Sequence, residues 1–144
     1  MTRGRSIRRH VAEWADRLKR LARARRRTGH RGERAAEKHL KSQGYRILAR
    51  NLRNRYGEID LLALTPNRNT LVVIEVKAAD NNSDHPERRV NQAKQKRLVA
   101  LAAQIARQYG LQHMPIRFDV IAVNFTADAR PIVRHIPAAF QSHV

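Results

Sequence analysis

Apolar residues recur along this 144-residue chain with two different periods, and the switches between them mark out its elements. Near the N-terminus, Ile7, Val11, Trp14, Leu18 and Leu21 fall at steps of four and three, which is the stripe of an amphipathic helix set among arginines. Thr28, Gly29 and His30 mark its end. From Gly32 the stretch "GERAAEKHLKSQGY" predicts a helix of about 12 residues stopped by Gly44 in the left-handed conformation. Three strand-like runs follow, "YRILARN", "YGEIDLLAL" and "TLVVIEVK", the last two separated by the turn formers Pro66-Asn67-Arg68-Asn69. A polar loop, "AADNNSDHPE", leads into a long helix from about Arg88 to Tyr109, ended by Gly110; its apolar stripe is Val90, Leu98, Leu101 and Ile105, with Lys94 interrupting it. "IRFDVIAVNF" is a further strand and "PIVRHI" a weaker last one. The order α-β-β-β-α-β, with a terminal β, is that of a mixed α/β domain.

If the second and third runs form a hairpin around residues 65–70, the symmetric register sets Leu64 opposite Leu71, Leu62 opposite Val73, Asp60 opposite Glu75 and Glu58 opposite Lys77. The two-residue period puts these eight on one side of the sheet and Ile59, Leu61, Ala63, Val72, Ile74 and Val76 on the other. Both sides are apolar near the turn, so the sheet is expected to be covered on both faces. One face turns charged at its far end.

Net charge changes the picture next. The chain carries 30 Lys and Arg against 12 Asp and Glu, a formal +18, which makes a polyanion the expected partner: nucleic acid or an anionic surface. Residues 1–30 hold eleven basic and two acidic residues, so they form a basic arm, with Arg25, Arg26 and Arg27 at its densest point, ahead of a domain over residues 31–144. The arm can lie along phosphates, or it can pack its stripe on the body or on a second copy; a homodimer stays open. No apolar run approaches the roughly 20 residues a membrane span needs, and the N-terminus lacks the apolar segment of a signal peptide. The chain has no cysteine, so neither disulfides nor thiolate zinc sites are available, and a cytoplasmic location is expected. Seven scattered histidines form no pair spaced for zinc, and no phosphate-binding glycine loop is present.

The charged hairpin end therefore carries the candidate chemistry. Two carboxylates across a strand pair repel each other, and removing them from water is costly unless a cation neutralises them. Mg²⁺ or Mn²⁺ takes this kind of oxygen ligand, and Lys77 nearby can hold a hydroxide nucleophile or stabilise charge developing on a phosphate. The alternative is an ordinary charged rim, with Glu58 paired to Lys77 and the other acids to surface arginines. Glu33 on the first helix and Lys94 on the second are each explicable alone, as a helix-dipole partner and as a snorkelling lysine. Together with the hairpin they point to a shared polar cleft.

The segments "GERAAEKHL", "GYRILARN", "GEIDLLA", "VVIEVK", "VNQAKQKRL" and "RFDVIAV", in that order and spacing, resemble the YraN-like family of endonuclease-like proteins within the PD-(D/E)XK nuclease superfamily. The resemblance implies an α/β nuclease-like core with a mixed central sheet flanked by helices on both faces. It implies Asp60, Glu75 and the carbonyl of Val76 as ligands of Mg²⁺ or Mn²⁺, Lys77 as catalytic lysine, and Glu33 as the acid completing the site. Lys94 with Gln95, and Arg97 beyond them, would contact nucleic acid, DNA in preference to RNA. Asp119 in "RFD" belongs to the pattern too, with an ion pair to Arg117 or another base as its expected role. After "EVK" the chain departs from the family, because Ala78, Ala79 and Asp80 stand where a basic residue and a glycine loop are usual. The expected activity is metal-dependent hydrolysis of DNA phosphodiesters, with branched or structured DNA as a candidate substrate; the alternative is a non-enzymatic DNA- or RNA-binding protein on the same fold.

Overall fold

A computed structural model describes residues 31–79, 90–126 and 130–141. The basic arm, including Arg25, Arg26 and Arg27, and most of the polar loop after β3 lie outside the described residues. The elements run α1 (Arg31–Ser42), β1 (Arg46–Asn54), β2 (Gly57–Leu64), β3 (Leu71–Ala79), α2 (Gln92–Gln108), β4 (Ile116–Asn124) and β5 (Ile132–Phe140). The sheet has the order β1-β2-β3-β4-β5, antiparallel throughout except for the parallel pair β3 and β4, which α2 connects. This is the α/β architecture expected, with the terminal strand longer than "PIVRHI" and the second helix starting later than Arg88. Asn91 sets that start: its side chain accepts the Lys94 N–H at 2.9 Å, which caps the first turn. Among the described residues no helix is long and apolar enough to cross a membrane.

Each face of the sheet has its own core. Leu98, Leu101, Ala102 and Ile105 of α2 pack on Leu62, Leu64, Leu71, Val73 and Phe118. Ala36 and Leu40 of α1 pack on Leu61, Ala63, Val72, Ile74 and Ile121. Sequential burial of Leu61 through Leu64 and of Leu71 through Ile74 follows from this double cover.

Two glycines fix α1. At its C-terminus Gly44, with φ 88°, lets the N–H groups of Gly44 and Tyr45 turn back to the carbonyls of Lys41 and Leu40, both at 3.0 Å. At its N-terminus a Cβ on Gly32 would stand 2.8 Å from the Cβ of Ala78, so only glycine allows the helix to press on the end of β3. Glu37 ties the middle of α1 to β1 by a two-pronged ion pair with Arg50, one hydrogen bond of which measures 2.6 Å.

Beyond the register shift between Ile47 and Ala49, the alternation along β1 and β2 breaks at a second place. Arg50 reaches Glu37 on the α1 side, whereas Leu52, two residues on, packs against the α2-side core. Between them Asn51 has φ 49°, the left-handed region that non-glycine residues seldom occupy. The paired strand mirrors the reversal, with Leu61 in the α1-side core and Ile59 in the α2-side core. Ile59 is therefore not on the same side as Leu61 and Ala63, as unbroken alternation would place it. The register, with Arg50 opposite Leu61 and Leu52 opposite Ile59, puts Asn51 across from Asp60.

Candidate functional site

The β2–β3 ladder has the expected register from Leu64 opposite Leu71 to Leu61 opposite Ile74, and there it stops. Asp60 does not continue it. Its Oδ2 accepts the Val76 N–H at 2.8 Å, a side chain taking the donor that a ladder would give to backbone. Glu58 is likewise drawn away from Lys77, to Arg53 of β1 at 2.8 Å, so the expected pairing of Glu58 with Lys77 is replaced by one along the β1–β2 hairpin. The strands part where their acids would meet, and the gap opens toward α2.

Glu75, only 4% exposed, points into this gap with Oε1 contacted by two ammonium groups, Lys94 from α2 and Lys77 from β3, the latter at 3.3 Å. Gly57, Glu58, Asp60, Glu75, Lys94, Arg97, Leu98 and Leu101 line a cavity of about 260 Å³ here. At ~30 Å³ per water this is room for a phosphate group and several waters. Gln95 lies off the cavity wall, its amide donating to the Val90 carbonyl at 2.9 Å. Glu33 approaches from α1, placed by the close seat of Gly32 on β3, and its charge acts on Asp60.

Electrostatics follow from this crowding. Burial first, and then the neighbouring Glu75 carboxylate, push the Asp60 carboxyl up to about 7; Glu33 adds to the rise, while the Val76 N–H and Lys94 oppose it. Burial works against a charged Lys94, yet its hydrogen bond and attraction to Glu75 prevail and hold it above the ordinary lysine range. Among the described residues Asp60 thus has one hydrogen-bond donor, the Val76 N–H, against the repulsion of two carboxylates. Among the described residues no set of three or more His, Cys, Asp or Glu side chains converges to hold a metal. The oxygen donors that line the cavity include the carboxylates of Asp60 and Glu75, a pair that fits a hard cation keeping several waters. That Glu75 already collects two ammonium groups shows the same demand for positive charge.

A model of the uncharacterised protein family UPF0102 matches residues 32–123, and that span holds Glu33, Asp60, Glu75, Lys77 and Lys94. The chain belongs to this family. Among its relatives, a UPF0102 protein of Symbiobacterium thermophilum is 42% identical over 118 residues, covering 81% of this chain and 98% of the relative. One from Anaeromyxobacter dehalogenans is 42% identical over 113 residues, covering 78% and 82%. One from Pelobacter propionicus is 38% identical over 117 residues, covering 81% and 84%. UPF0102 is the YraN-like family that the sequence resembles, and its name carries no activity.

Asn51 is the residue that the hydrophobic pattern does not reveal. Its Oδ1 is buried and has no hydrogen-bond partner among the described residues, and its backbone strain lies directly across from Asp60. The available signal was an asparagine inside an apolar strand run, at the end of "YRILARN". Asp119 has the structural role expected of it. It is fully buried on the α1 side, taking two hydrogen bonds from Arg117 at 2.8 and 2.7 Å, one from His135 at 2.7 Å and one from the Ala138 N–H at 2.9 Å.

Proposed function

We propose that this protein is a metal-dependent endonuclease of the PD-(D/E)XK type, hydrolysing phosphodiesters in DNA, with branched or otherwise structured DNA as the substrate class to test first. The observation that carries the reading is the meeting of Asp60, Glu75 and Lys77 where β2 and β3 part, beside a cavity with room for a phosphate and several waters, on a chain of net charge +18. Asp60, Glu75 and the Val76 carbonyl would hold Mg²⁺ or Mn²⁺, which when bound supplies Lewis acidity toward the phosphoryl oxygen and a more acidic water. Lys77, anchored by Glu75, orients the attacking water and stabilises negative charge on the phosphoryl group. Glu33 contributes negative charge from α1, and Arg97 on the cavity wall contacts a flanking phosphate. The basic surface supplies salt-sensitive, sequence-independent affinity.

A second reading, a nucleic-acid-binding protein without cleavage, draws on the neutralisation of Glu75 by Lys77 and Lys94 within the protein itself. A panel of linear, flapped and four-way DNA incubated with Mn²⁺ separates the two. The endonuclease reading expects cleavage of at least one substrate and a fall of roughly 100-fold or more in Lys77→Ala, the scale of losing a main transition-state stabiliser. Activity unchanged in Lys77→Ala would trace the cleavage to a contaminant. Salt-sensitive binding without cleavage of any substrate would leave the binding protein as the function.

A further inference from the structure

Lys94 was expected to reach for nucleic acid, yet its ammonium lies on Glu75 Oε1, inside the acid cluster rather than at its rim. We propose that Lys94 is an internal counter-ion that excludes the divalent cation from the idle site and yields its place when a DNA phosphodiester enters, so that cation and substrate load together. This deepens the endonuclease reading and rests on it.

Glu75 is almost wholly buried, and its charge needs a partner whenever no cation is bound. Lys77 alone stands at 3.3 Å from Oε1, and Lys94 completes the neutralisation from a different element. The two lysines differ in what holds them. Lys77 is part of β3 beside Glu75, whereas Lys94 sits in the first turn of α2, its backbone fixed by the Asn91 cap and its long side chain one-third exposed along the cavity wall. Its head therefore has two partners within reach of one stem: the buried carboxylate, or an anion in the cavity that Arg97, three residues on, also lines. A divalent cation at Asp60 and Glu75 repels the Lys94 ammonium, and a phosphate in the cavity attracts it. Each ligand thereby removes an obstacle to the other, and linkage makes that help reciprocal. The arrangement keeps a strongly basic protein, which touches nucleic acid everywhere, from carrying a loaded site before a phosphodiester is seated.

Lys94→Met keeps the apolar stem and removes the charge. Calorimetric titration of the full chain with Mn²⁺, without DNA, should show the variant binding roughly tenfold tighter than the parent, a coupling of ordinary size. In EDTA the variant should melt lower than the parent, because Glu75 has lost a partner, and Mn²⁺ should raise its Tm by more. With Ca²⁺ as the probe, a short DNA duplex should tighten cation binding to the parent and change it little in Lys94→Met, whereas Lys94→Arg should keep the coupling. Lys94→Gln serves the same titrations if the methionine variant does not fold. Mn²⁺ binding equal or weaker in the uncharged variants, with measurable binding in the parent, overturns the counter-ion role and leaves the endonuclease reading intact. No Mn²⁺ binding at millimolar concentration in either protein overturns the metal site itself.

Discussion

Asp119, fully buried, and Asp60, half-buried, are aspartates on central strands, one on each side of the sheet, and their surroundings drive them in opposite directions. Asp119 receives four hydrogen bonds, from Arg117 twice, His135 and the Ala138 N–H, and these overcome the cost of burial and hold its carboxyl below the ordinary range. Asp60 receives one, from the Val76 N–H, and faces Glu75 and Glu33, so burial and repulsion push it up to about 7. Each donor at Asp119 also ties an element in place: Arg117 reaches on to the Tyr45 hydroxyl at 2.8 Å before β1, and His135 and Ala138 belong to β5. A carboxylate whose lone pairs are filled by its own fold is finished as a structural part. One left with an open demand for positive charge is suited to a ligand from outside.

The largest effect should come from testing this contrast by deletion. Asp119→Ala leaves Arg117, His135 and the Ala138 N–H without their acceptor in a buried setting, and unfolding by urea should show a loss of about 3–5 kcal/mol. Asp60→Asn removes a repelled charge, so its stability should equal or exceed that of the parent while Mn²⁺ binding and cleavage are lost. Equal destabilisation by the two substitutions would erase the distinction between a structural and a functional carboxylate.

The pH dependence of stability sharpens the same contrast without removing atoms. Because the folded-state pKa of Asp60 is raised from an ordinary 3.8 to about 7, the contribution of its protonated form is fully present below the ordinary value and is lost as pH rises through about 7. Asp119 has the opposite sign: its contribution is present above the ordinary carboxyl value and is lost as pH falls through its lowered one. Thermal melts in EDTA should therefore show stability falling from about pH 4 to about pH 7 and levelling above, a slope absent from Asp60→Asn and reduced by Mn²⁺, and a separate limb of opposite sign at lower pH to which Asp119 contributes. A flat profile from about pH 4 to about pH 7 in the parent would mean that Asp60 is not under the stress its neighbours impose.

Much of this was legible in the sequence because it rests on local rules. Periodicity located all seven elements, Gly44 and Gly110 marked the two helix ends, and the hairpin register followed from symmetry about residues 65–70. Counting along that register brought Asp60 and Glu75 to one end, and the helical stripes brought Glu33 and Lys94 toward them. What periodicity could not supply were departures from it. The ladder stops at Leu61 because Asp60 bonds Val76 through its side chain, the face of Ile59 reverses because Asn51 is left-handed, and the Lys94 ammonium turns inward onto Glu75 rather than outward to solvent. His135 looked like one scattered histidine among seven, since nothing in β5 alone announces that it closes on Asp119 across a strand.

The smallest expected effect concerns how Asp60 came to be exposed to such stress. Asn51, across from it, combines φ 49° with a buried Oδ1 that no described residue satisfies. Left-handed backbone costs a residue with a Cβ on the order of 1–2 kcal/mol, least for asparagine and nothing comparable for glycine. Asn51→Ala should therefore lower stability by about 1 kcal/mol or allow the strand to relax to regular alternation, whereas Asn51→Gly should preserve the reversal. Mn²⁺ affinity then separates backbone from side chain. If the reversal is what turns Asp60 toward Val76, Asn51→Gly should bind Mn²⁺ as the parent does and Asn51→Ala more weakly. An equal loss in both would move the role to the amide group, whose unsatisfied oxygen would then be the acceptor for a donor brought in with the cation. Unchanged affinity in both would leave the break in alternation as a feature of the hairpin alone, and the open state of Asp60 would rest on its repulsion from Glu75 and Glu33.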